Sequence, residues 1–210
     1  MDPIREAKPD VVFAPHVETS AGLILPDDYL KAMADAAHEV GALLVLDCIA
    51  SGCIWVDMKA TGVDVLISAP QKGWSATPSA GLVMMSERGA ARMAETSSDS
   101  FAMDLKKWHA IMAAYEGGGH AYHATLPTDG LRMFRDTMAE TKAYGFEKLK
   151  AAQWTLGNGV RALLKDKNVK SVAADGFGAP GVVVSYTDDP AVQNGSKFAA
   201  LGMQIAAGVP

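Results

Sequence analysis

Cysteine is nearly missing from this sequence: only Cys48 and Cys53 occur among 210 residues. Two thiols on one segment do not make a disulfide scaffold, so free thiols in a reducing, cytoplasmic compartment are expected. The CxxC spacing is absent, and the lone pair His120 and His123 has no third ligand spaced nearby, so no metal site is expected. Long apolar runs are missing too. The longest, Ala42–Leu46 and Gly181–Val184, fall far short of the roughly 20 residues that a membrane span needs. The opening MDPIREAKPD is polar and carries both charge signs, unlike a signal peptide. Positive charge is in deficit: 19 Lys and Arg against 24 Asp and Glu leave a formal net charge of −5, which argues against a nucleic-acid partner. Small anionic ligands stay open, because backbone amides bind those locally.

What is present is a globular composition, 49% hydrophobic and 20% charged, long enough to bury a sizeable core. The first half alternates short apolar runs with helical patterns. Val11–Ala14 reads as a buried strand ended by Pro15. Pro26 opens a helix with Asp27 and Asp28 in its first turn, where carboxylates favour the dipole, and Gly41 stops it. Ala42–Leu46 is a second strand ending at Asp47, Val63–Ser68 a third and Gly81–Ser86 a fourth. Strand, helix, strand in sequence predicts parallel pairing with right-handed crossovers. The second half is mainly helical: Met103–Tyr115, then a long stretch from Pro127 to about Leu164 weakened at Gly145, a strand at Val182–Ser185, and a final helix from Pro190 to about Ala206. The character changes near Gly145, which divides the chain into a larger part, 1–144, and a smaller one, 145–210. An α/β fold with a mainly parallel sheet is expected. So small a sheet leaves an exposed edge, which points to an incomplete chain or to obligatory pairing with another copy.

Ligands of open α/β sheets bind at the carboxyl ends of the strands. Polar segments follow three such ends: His16–Gly22 (HVETSAG), Asp47, and Ser68–Trp74 (SAPQKGW). Taken singly, Asp47 also reads as a turn residue, Lys72 as a solvated lysine, and Thr19 and Ser20 as turn caps. Their order at three successive strand ends favours one shared cleft, with Asp47 pairing a cationic ligand group and Lys72 attacking a carbonyl. Cys48 should point away from Asp47. Trp74 reads either as a wall of the cleft or as loop packing.

HVETSAG, VLDCIAS and SAPQKGW together resemble the class V aminotransferases, pyridoxal-phosphate enzymes of fold type I, and most of all the alanine–glyoxylate and serine–pyruvate branch. The resemblance covers nearly the whole chain. It implies that Lys72 forms the internal Schiff base with pyridoxal 5'-phosphate and later moves a proton, and that Asp47 keeps the pyridine nitrogen protonated. It further implies that Ile49 packs on the ring, Thr19 bonds near the ring hydroxyl, and Gln71 reaches the phosphate. In AYHATLP, Tyr122 and Thr125 match positions that reach the phosphate of a neighbouring subunit, which implies a homodimer with shared active sites.

The family's N-terminal phosphate cradle, its ring-stacking aromatic and its late substrate-gripping Arg have no counterpart here. The chain is therefore expected to be the middle of a longer enzyme, inactive alone. The implied reaction is transamination of alanine or serine with a 2-oxo acid such as glyoxylate or pyruvate. A lyase or cysteine desulfurase of the same class is the alternative, although desulfurases typically place His where Gln71 stands. A folded remnant without turnover is the third reading.

Overall fold

The computed structural model describes residues 1–205. A helix α1 (Asp2–Ala7) precedes β1 (Val11–Pro15). A two-stranded hairpin follows, β2 (Val17–Glu18) and β3 (Leu23–Ile24), then α2 (Asp27–Glu39) and β4 (Leu43–Asp47). Next come α3 (Met58–Thr61), β5 (Val65–Ser68), β6 (Leu82–Met85) and α4 (Glu87–Glu95). The rest is helical: α5 (Leu105–Glu116), α6 (Thr128–Tyr144), α7 (Phe146–Asp166), α8 (Pro190–Gln193) and α9 (Ser196–Ala199).

The main sheet has four strands in the order β1-β4-β5-β6. β1, β4 and β5 run parallel, as the alternation of strands and helices predicts. β6 does not: it pairs antiparallel with β5, and this corrects the parallel expectation. The β5–β6 connection, residues 69–81, contains no helix to carry a crossover, so the chain turns straight back.

One sheet face carries Ala14, Leu44, Leu46 and Leu66, packed on Leu30 and Ala34 of α2 with Val63 beside them. The helical spacing of Leu30 and Ala34 sets this face, and the small alanines let α2 lie close to the strands. A second, smaller cluster of Val17, Ile24, Ile54 and Ala179, joined by Ala50, Trp154 and Val182, lies under the loops at the carboxyl ends of the strands.

Two more expectations fail. Val182–Ser185 is not a strand: Ser185 makes a single bridge to Ser171, and one bridge is no ladder. The expected helix from Pro190 breaks into α8 and α9 at Gly195, whose φ of 79° suits glycine and ends the first turn. Its predicted end at Ala206 lies outside the described residues. The weak point at Gly145 is a true break, with φ 108° between α6 and α7.

Candidate functional site

The register sets Pro15, Asp47 and Ile67 side by side at the carboxyl edge of the parallel strands. Three loops leave that edge and are tied to one another by specific bonds. The His16 amide donates to the Asp47 carbonyl at 2.8 Å, and the Cys48 amide to the Ile67 carbonyl at 2.8 Å. His16 Nδ1 lies 2.7 Å from Ser51 Oγ in a buried pair. Burial lowers the His16 pKa to about 4, so the ring is neutral near pH 7.

The first loop is the β2–β3 hairpin. The Glu18 carboxylate accepts from the Ser20 amide at 2.9 Å and the Ser20 hydroxyl at 2.8 Å, and these bonds hold its pKa below the usual range. Thr19 stands exposed at the tip. Gly22 closes the turn at φ +63°, with the Val182 carbonyl where a Cβ would be.

The second loop starts at Asp47. Its side chain is exposed, and one oxygen accepts from the Ile49 amide at 2.8 Å, which curls the loop back and leaves Ile49 half-buried. The third loop carries Gln71 and Lys72, both exposed, on a turn closed by the Ser75 amide donating to the Lys72 carbonyl at 2.9 Å. A Cβ on Gly73 would fall on the Gly52 carbonyl oxygen, so the second and third loops abut backbone to backbone. Cys53 Sγ lies 3.8 Å from the Gly73 carbonyl. The strand ends thus form an open shelf. A cavity of about 560 Å³ lies elsewhere, between α7 and residues 169–185.

Tyr122 and Thr125 are exposed in the α5–α6 connection, their hydroxyls 3.0 Å apart. The neighbouring contacts of this segment run to Phe101 and Trp108 through the His123 ring, not to the strand ends. His120 and His123 belong to no metal-holding cluster among the described residues. Cys48 is buried, and burial pushes its thiol up to about 12, which keeps it protonated and inert. Trp74 packs between Trp55, Phe134 and Phe146, so it fixes the loop from behind.

Three features were not read from the sequence: the His16–Ser51 pair, the aromatic cluster, and Gln153. The Gln153 oxygen accepts the Cys53 amide at 2.6 Å. Each joins residues far apart in the chain. The only local signals were a histidine inside an otherwise apolar run and a polar residue on the apolar stripe of α7.

In chemical terms the shelf offers a primary amine, a carboxylate, hydroxyls and a carboxamide on three level loops. That donor set fits pyridoxal 5'-phosphate, whose aldehyde condenses with an amine and whose ring nitrogen pairs with a carboxylate.

Comparisons with known proteins agree with the fold. Residues 2–173 match the family described as Aminotransferase class-V. Alanine–glyoxylate aminotransferase of Oryctolagus cuniculus is 30% identical over 148 residues, 69% of this chain and 37% of that protein. The 2-aminoethylphosphonate–pyruvate transaminase of Burkholderia mallei is 32% identical over 165 residues, 76% of this chain and 42% of that protein. The crystal structure of an alanine–glyoxylate aminotransferase from Nostoc sp. superposes with a TM-score of 0.84 at 20% identity, covering 100% of this chain and 56% of that one. The chain therefore spans about half the length of the relatives it matches, or less.

Proposed function

The chain belongs to the class-V aminotransferase family, with the fold of type I pyridoxal-phosphate enzymes, and on that premise we propose that it carries the catalytic core of a pyridoxal-phosphate aminotransferase. The reaction is transfer of an amino group from a small donor, alanine or serine, to a 2-oxo acid such as glyoxylate or pyruvate. The observation that carries this reading is the pairing of an exposed lysine and an exposed aspartate on abutting loops at adjacent parallel strand ends.

Bound pyridoxal 5'-phosphate supplies an electron sink at the α-carbon of the amino acid. Lys72 offers the amine that holds the cofactor, and its exposed side chain then moves the α-proton. Asp47 has one carboxylate oxygen committed to the Ile49 amide and keeps the other for the ring nitrogen. Ile49 gives an apolar contact for the ring, Thr19 a hydroxyl beside it, and Gln71 a carboxamide toward the phosphate. Tyr122 and Thr125 serve the partner's site in a homodimer. Exposed Phe101, Met103, Met112 and Tyr115, on and beside a helix α5 that buries none of its own residues, support such pairing. We place the domain division at 144/145 and the protein in the cytoplasm. Both thiols are free, and among the described residues no helix is long and apolar enough to cross a membrane.

The test is nitrogen transfer. The gene product containing this chain is given cofactor, 15N-alanine or 15N-serine, and glyoxylate. Labelled glycine is expected, and Lys72→Ala should abolish it. In a parallel reaction with cysteine and a thiol reductant, formation of alanine and sulfide with no labelled glycine in the first reaction would replace this reading with the desulfurase one. 2-Aminoethylphosphonate with pyruvate is the second donor pair to try, given the relatives at 32% identity.

A further inference from the structure

α7 runs beneath all three strand-end loops and touches each with one face. Phe146, Gln153, Gly157 and Arg161 follow at helical spacing, so they form a single stripe. Near its start, the Phe146 carbonyl accepts from Trp55 Nε1 at 3.2 Å, and its ring packs edge-on to Trp55 and Trp74. Trp74 stands two residues after Lys72. In the middle, the Gln153 oxygen accepts the Cys53 amide at 2.6 Å. At Gly157 the helix meets the Pro180 backbone so closely that no Cβ would fit. Farther on, Arg161 Nη2 donates to the Gly22 carbonyl at 3.1 Å and to the Ala179 carbonyl at 2.8 Å. Gly22 closes the hairpin that bears Thr19.

The middle contact has the most direct consequence. Cys53 and Gly52 are where the Asp47 loop meets the Lys72 loop. Gly52 sits at φ +62° with the Gln153 carboxamide in the space a side chain would take, and Gly73 lies on its other side. The sheet register holds Asp47 in place, so a shift of Gly52–Cys53 acts through Gly73 and moves Lys72 relative to Asp47. Among the described residues no other α7 side chain hydrogen-bonds Gly52, Cys53 or Gly73, and Arg161 is committed to Gly22, Ala179 and Val182.

We propose that Gln153 is a positioning residue for the strand-end site: by accepting the Cys53 amide it holds the Asp47 loop against Gly73 and so sets the separation of Asp47 and Lys72. It touches neither cofactor nor substrate. The proposal rests on the aminotransferase reading above and deepens it.

The test compares the parent chain with Gln153→Met, which keeps length but loses the acceptor, and Gln153→Glu, which restores an oxygen. Two readouts are taken. One is amide hydrogen exchange of the peptides covering 48–54 and 70–76. The other is the fraction of pyridoxal phosphate trapped on Lys72 by borohydride. Gln153→Met should raise exchange in those two peptides roughly tenfold while leaving β4 and β5 protected, and should cut Lys72 trapping to a similar degree. Gln153→Glu should restore both. Parent-level exchange and trapping in a folded Gln153→Met would overturn the proposal and leave the aminotransferase reading intact. Should Gln153→Met fail to fold, Gln153→Glu and Gln153→Asn decide alone: Asn, too short to reach, must lose trapping that Glu keeps, and equal trapping in both overturns the proposal. A parent chain that does not favour Lys72 among its lysines overturns both together.

Discussion

Asp64 and Asp47 stand at opposite ends of the same two parallel strands, and the chain treats them oppositely. Asp64, at the amino end of β5, is 2% exposed. Its carboxylate accepts from the Leu44 amide at 2.9 Å, lies 2.8 Å from His38 Nε2, and receives the Ser86 hydroxyl at 3.3 Å. Arg88 Nε stands 3.8 Å away. Both oxygens are engaged inside the fold. Asp47, at the carboxyl end of β4, is exposed and spends one oxygen on the Ile49 amide. A buried carboxylate must be fully bonded or the fold loses stability. A carboxylate left half-used at a strand end is free to bind something else. On the reading proposed above, the amino end of the sheet serves stability and the carboxyl end serves a ligand.

The largest effect that would break this contrast is at Asp64. Asp64→Ala should cost about 4 kcal/mol of folding stability by urea denaturation, because the Leu44 amide and the His38 ring lose a buried partner. A loss below about 1 kcal/mol would mean that the network is ornamental. Next is acid. The folded pKa of His16, about 4, lies below its unfolded value of 6.5, so the folded state binds fewer protons. Its contribution is fully present above pH 6.5 and is lost as pH falls toward 4, about 3 kcal/mol in all. Asp27 raises and Lys150 lowers that pKa, both less than burial does. Denaturation midpoints from pH 7 to 4 should fall steeply in the parent and less in His16→Gln. Third is Gly73→Ala. Its Cβ would meet the Gly52 carbonyl, so the loops must part, at about 2 kcal/mol and with loss of cofactor capture. Unchanged capture would show that the two loops need not touch. Smallest is Asp47→Ala, which should move stability by less than about 0.5 kcal/mol while abolishing transamination by the gene product that contains this chain. If Asp47→Ala destabilised the fold as much as Asp64→Ala, the two ends would not differ in purpose.

Much of this is legible in the sequence. β1, β4 and β5 announce themselves as apolar runs stopped by Pro15, Asp47 and Ser68, and α2 by its Pro26 start and Gly41 stop. The three polar loops follow from those strand ends. The direction of β6 was not legible, because it depends on the route of residues 69–81, which carry no periodicity. α4 did have a signal in Ser86, whose hydroxyl accepts the Gly89 amide as an N-cap. The hairpin β2–β3 is two residues per strand, too short for alternation to register. The part of the site that stayed hidden is its support. Gln153 lies 100 residues from Cys53, and nothing in a helix stripe says which loop it will meet.

The central claim is that the carboxyl end of this sheet is a pyridoxal-phosphate shelf centred on Lys72. Its most direct test is to mix the purified chain with pyridoxal 5'-phosphate, reduce with borohydride, digest, and locate the modified lysine by mass spectrometry. The account predicts label concentrated on Lys72 and lowered in Asp47→Ala. Label spread evenly over the surface lysines of a chain that circular dichroism shows to be folded would contradict it.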